Sequence, residues 1–121
     1  MSTETKGITS SNIITVDDQN FETNVLNAKL LTIVDFSAEW CPPCRALDPV
    51  YARLSTEFTG KVRFTHFDID ENPLIFTRYR VEAAPTLIFF KDGQEIERIV
   101  GPYPGRLKVQ IERILAEVEQ A

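Results

Sequence analysis

The chain has 121 residues, 43% hydrophobic and 26% charged, the composition of one soluble globular domain large enough to bury a core without covalent reinforcement. Eighteen acidic side chains against thirteen basic ones leave a net charge of −5, and no basic patch is visible. Nucleic acid and anionic membrane are therefore excluded as partners of an electrostatic kind.

The opening stretch MSTETKGITSSN lacks the apolar run of a secretory signal, and Glu4 in the absence of arginine disfavours a transit peptide. No segment reaches transmembrane length, so the sequence reads as cytoplasmic, with residues 1–11 a flexible polar tail and 12–121 the folded domain. Asn12 to Val16 is a strand candidate. Over DDQNFETNVLNA, helix-start residues and the spacing of Phe21, Val25 and Leu26 predict a helix. KLLTIVDFSA follows as a nearly unbroken apolar run of strand length, the signature of a strand buried on both faces of a parallel sheet.

Beyond the cysteines, Leu47, Val50, Tyr51, Leu54 and Phe58 recur at helical spacing, with Pro49 inside the helix as an expected kink and Gly60 as its stop. KVRFTHFDI alternates as a strand, and NPLIFTRYR reads as a helix with Pro73 in its first turn. TLIFF, KDG and QEIERIV form strand, turn and strand, short enough to be an antiparallel hairpin. Leu107, Ile111, Ile114, Leu115 and Val118 mark an amphipathic C-terminal helix. The order βαβαβαββα predicts an α/β fold, a central mixed sheet of about five strands flanked by four helices.

Both cysteines lie in EWCPPCRAL, two residues apart. A structural disulfide is disfavoured in a compartment that keeps thiols reduced, and a zinc site wants four ligands where the chain offers these two cysteines and His66, which leaves a metal shared between two chains as the remaining metal reading. A redox dithiol needs a strand end leading into a helix start, with the first cysteine exposed at the helix N-terminus. TIVDFSA supplies the strand, and the helix is expected to begin at or just after Cys41.

The thiolate is the nucleophile, and lowering an ordinary thiol pKa from about 8.5 to about 7 takes roughly 2 kcal/mol. A helix N-terminus contributes about 0.3–1 kcal/mol, so hydrogen bonds from the Cys44 thiol and backbone must supply the rest. Cys41 is then the attacking sulfur and Cys44 the resolving one. Pro42 and Pro43 fit the first turn, where a missing N–H costs little, while stiffening the loop and removing donors to the sulfur. Both effects ease disulfide formation. Asp35 interrupts the most apolar stretch of the chain, where burial should raise its pKa, and it is a candidate base for the Cys44 proton through a water. His66, expected on a neighbouring strand, is a candidate to tune that proton, so that the charge beside Asp35 would vary with pH. Pro85, directly before TLIFF, is a candidate cis-proline, and Gly101 either admits close backbone approach or ends a strand.

Taken in order and spacing, VDFSAEWCPPCR, FDIDENP, AAPTLIFFKDG and the glycine after the last strand resemble the thioredoxin family, from about Asn12 to Ala121. The resemblance implies the thioredoxin fold and dithiol–disulfide exchange on protein disulfides, with Cys41 as nucleophile, Cys44 as resolving thiol and Asp35 as buried acid. It further implies that Trp40, Pro42, Ala84, Pro85 and Gly101 line the substrate groove, within an exposed apolar patch that adds Pro102 and Tyr103. An NADPH-dependent thioredoxin reductase is the implied electron donor. Nothing in the sequence calls for a bound cofactor or metal, and a monomer is expected. Pro42 stands where the family usually has glycine, His66 where bacterial members have lysine, and Ser37 where many have a second tryptophan. The first departure bears on redox potential and leaves an oxidant or isomerase of the protein disulfide isomerase kind as the enzymatic alternative. A redox-independent scaffold is the alternative of another class.

Overall fold

The structure is a computed structural model that describes residues 12–120; the tail expected over 1–11 lies outside the described residues. Five strands, β1 (Ile13–Val16), β2 (Leu31–Ser37), β3 (Val62–Asp68), β4 (Thr86–Lys91) and β5 (Gln94–Val100), form one sheet in the order β1-β3-β2-β4-β5. The first three are mutually parallel, and β4 runs antiparallel to both its neighbours β2 and β5, so the sheet is mixed as expected. The helices are α1 (Pro42–Glu57), α2 (Pro73–Arg78) and α3 (Pro104–Gln120).

The helix expected near the N-terminus is only the five-residue π-helical segment Glu22–Leu26. The residues before it make a different structure. Asp17 accepts the backbone N–H groups of Gln19 and Asn20, and Asn20 accepts that of Asp17, which locks the stretch into a side-chain-capped turn. Asp18 is committed elsewhere, accepting the N–H groups of Leu74 and Ile75 at the start of α2. α1 runs through Pro49 without a break, and Gly60, at φ +84°, takes the left-handed turn after it. In the β4–β5 hairpin Asp92 and Gly93 both have positive φ, 53° and 81°, the requirement of a type I′ turn.

All seven residues of β2 are buried, which makes it the central strand. Alternation then splits its side chains between two cores. Ile33 packs with Leu47, Tyr51 and Leu54 of α1 and with Leu107, Ile111 and Ile114 of α3. Val34 and Phe36 pack on the other face with Phe21, Val25 and Ile75. Asp35 shares the Ile33 face, so the pleat sends a carboxylate towards α1.

Candidate active site

β2 ends at Ser37, and four residues later the chain enters α1 with Cys41 as N-cap. Helix entry leaves first-turn N–H groups without partners, but Pro42 and Pro43 have none to offer. The first donor is therefore the N–H of Cys44, and it reaches Sγ of Cys41 at 3.3 Å. Arg45 N–H already begins the helical ladder by donating to the Cys41 carbonyl. The sequence thus directs one backbone dipole at one sulfur.

Cys41 and Cys44 are joined as a disulfide, with Cα atoms 5.2 Å apart. The expectation of an exposed first cysteine is corrected: Cys41 is only 3% exposed, and Cys44 1%. Bonding to Cys44 and packing against Ala38 and Ala84 cover it. Its Sγ lies 3.5 Å from the carbonyl oxygen of Ala84, an acceptor for a thiol once the disulfide opens. No group of three or more metal-ligating side chains is present among the described residues.

The Ala84–Pro85 peptide is cis, as the sequence suggested. Gly101 donates its N–H to the Pro85 carbonyl at 2.9 Å, tying the end of β5 to the loop before β4. At φ +62° Gly101 has a backbone that favours glycine, and a Cβ there would meet nothing within 4 Å, so the position lies open to an incoming chain. Trp40 is 69% exposed, and its indole N–H donates to Asp70 Oδ2 at 2.7 Å. Pro42 and Tyr103 are exposed and Ala84 is half-buried. Pro102 does not join that surface. It is buried, and the apolar patch is smaller than expected.

Asp35, Asp48, Arg45 and Tyr51 form a largely buried polar cluster. Asp35 is 1% exposed, and neither of its carboxylate oxygens has a hydrogen-bond partner among the described residues. Burial pushes its pKa up to about 8, helped by the charge of Asp48 and opposed by that of Arg45. At neutrality Asp35 is mostly protonated. Asp48, also buried, is itself raised by desolvation, with Arg45 pulling the other way. Arg45 Nε stands 2.9 Å from Asp48 Oδ2, Nη2 donates to Ser37 Oγ at 3.3 Å, and Nη1 donates to the Glu39 carbonyl. Ser37 is thus a rest for the guanidinium. Tyr51 closes the cluster, its hydroxyl donating to the Thr65 carbonyl at 2.6 Å.

His66 is paired in register with Asp35 across β2 and β3. Burial and then Arg45 lower its pKa to about 4, while Asp68 opposes. It is neutral at physiological pH, and any change of charge beside Asp35 is confined to acid conditions. Of the other sequence candidates, Pro43 occupies the first turn of α1 and Pro85 is buried. Asp48, Arg45 and Asp70 were missed by sequence reasoning. A signal for Asp48 exists: it lies four residues after Cys44 and three before Tyr51, on the face of α1 that the apolar spacing marks as buried.

The sequence model of the family described as Thioredoxin matches residues 12–113. The chain is similar to a thioredoxin of Synechocystis, 40% identical over 89 residues that cover 74% of this chain and 83% of that protein. It is also similar to a thioredoxin of Staphylococcus saprophyticus, 39% identical over 92 residues covering 76% and 86% of the two chains. The chloroplastic thioredoxin M4 of Arabidopsis thaliana is 37% identical over 103 residues, 84% of this chain and 53% of that one.

Proposed function

The chain belongs to the thioredoxin family and is a protein-disulfide reductase working by dithiol–disulfide exchange through Cys41 and Cys44; on that premise we propose that it is a general cytoplasmic reductase recharged by an NADPH-dependent thioredoxin reductase. The observation that carries the chemistry is the N-cap position of Cys41, with the Cys44 N–H aimed at its sulfur.

In the working direction the Cys41 thiolate attacks a substrate disulfide, forming a mixed disulfide and expelling one substrate thiolate. The Cys44 sulfur then attacks Cys41 Sγ. Its proton passes through a water to the Asp35 carboxylate, the Cys41–Cys44 bond forms, and the second substrate thiolate leaves and takes a proton from solvent. Two electrons have moved from the dithiol to the substrate. Reductase and NADPH return them.

The substrate strand lies along Ala84, Pro85 and Gly101, pairing its backbone with Ala84, while Trp40, Pro42 and Tyr103 offer apolar contact. The open space beside Gly101 and the exposure of Trp40 and Tyr103 support this placement. The chain acts as a monomer without a bound cofactor.

The test is reduction of insulin disulfides coupled to thioredoxin reductase and NADPH. Turnover is expected with the parent chain and none with Cys41→Ser. A Cys44→Ser chain is expected to accumulate a mixed disulfide with insulin. Failure to couple with several reductases, together with ready reduction in a glutathione buffer, would replace this reading by that of an oxidant or isomerase.

A further inference from the structure

We propose that Asp48 and Arg45 are positioning residues that tune the protonation of the buried Asp35 in opposite directions through the two charges of one ion pair, with the anion outweighing the cation. The catalytic meaning of this pair rests on the reading of Asp35 as base for the resolving step.

Three observations carry it. Asp35 is buried with both oxygens unpartnered, so no local hydrogen bond fixes its charge state and it answers to distant charge. α1, whose first turn carries the cysteines, also carries both charges, at positions one and four residues past Cys44. Finally, the two ends of the pair differ in exposure: the Asp48 side chain is 5% accessible and that of Arg45 32%. Water therefore screens the cation more than the anion, although they stand 2.9 Å apart.

The other groups around Asp35 do not compete. From β3 comes His66, neutral above about pH 4. From β4 the register partner is Leu87. α3 sends Leu107, Ile111 and Ile114 into this core. α1 adds Tyr51, whose burial keeps it neutral, and Cys44, which is the proton donor itself. Burial thus accounts for most of the rise at Asp35, and the charges left to adjust it are those of Asp48 and Arg45. At pH 7 Asp35 therefore mostly keeps its proton. The helix that positions the thiols also holds their base in reserve, and an alkaline shift releases it.

The test follows Asp35 by carboxyl carbon NMR of the full chain as pH is raised. In parallel, the pH profile is recorded for thionitrobenzoate release from a mixed disulfide on Cys41. Asp48→Asn should lower the Asp35 midpoint by about one pH unit and speed release several-fold at about pH 6.5. Arg45→Gln should move both the other way. Opposite displacement is the signature, because a merely loosened structure would lower the midpoint in both variants. Equal-signed or absent shifts overturn the inference; should D48N not fold, an unmoved or lowered midpoint in R45Q does so alone. Asp35→Asn separates the two claims. If D35N keeps the parental release profile while the midpoints still move oppositely, the pairing is supported and the role of Asp35 as base is overturned.

Discussion

The backbone N–H of Cys44 donates to Sγ of Cys41 at 3.3 Å, the one capping donor that two consecutive prolines leave in the first turn of α1. Helix N-caps ordinarily accept from the second or third helical N–H, and here the second is Pro43. Pro43→Ala restores that donor. The added hydrogen bond stabilises the Cys41 thiolate, and the looser loop makes ring closure less favourable, so both effects favour the dithiol. The reduction potential of P43A is expected to be higher than the parent's by on the order of 10–30 mV, with a lower Cys41 pKa. Equilibration with a glutathione buffer and alkylation rate against pH measure the two; a lower potential would contradict the argument.

Asp35 makes the fold less stable at alkaline pH. Its pKa is about 8 in the folded chain against an ordinary 3.8, so between those values the folded state holds a proton that the unfolded state has released. Stability from this group is fully present below about pH 4 and is lost as pH rises through about 8. Asp35→Asn is therefore expected to be more stable than the parent near pH 8, by on the order of 3 kcal/mol, with the gain fading towards pH 4. Urea midpoints at the two pH values report it. A gain independent of pH would point to packing instead.

His66 carries the opposite sign. Its pKa falls from an ordinary 6.5 to about 4 on burial, so the stability it contributes is present above 6.5 and is lost as pH falls through 4. Imidazole resonances in the folded protein should titrate near 4, and His66→Gln should resist acid better than the parent. An imidazole midpoint above 6 would show that the ring is solvated.

The indole of Trp40 donates an exposed hydrogen bond to Asp70. Asp70→Ala frees the ring without touching either sulfur. The KM for insulin is expected to rise about two- to fivefold with kcat nearly unchanged, the cost of ordering one aromatic side chain on binding. A fall in kcat at constant KM would mean that Asp70 acts on the chemistry.

The sheet and its helices were legible wherever one periodicity dominated. β2 reads as buried because its run is continuous, and α3 because its apolar residues keep helical spacing. The π-helical segment Glu22–Leu26 was not legible as such. There the apolar spacing was right, but Asp17 and Asn20 bond the neighbouring backbone and so compete with the helix. The exposures of Cys41 and Pro102 were misjudged for a related reason: a residue at a loop is covered or bared by whatever segment folds beside it, here the chain around Ala84 for Cys41.

From the sequence alone came the paired sulfurs at a helix start and the carboxylate set into an apolar strand, because spacing, alternation and the proline-bearing helix start are local properties of the chain. Only the tertiary structure put Asp48 and Arg45 behind Asp35, made His66 neutral and brought Gly101 against Pro85. Those outcomes depend on which segments share a face and how much water they exclude, and electrostatic energy in a dry interior is a property of that arrangement rather than of any one stretch of residues.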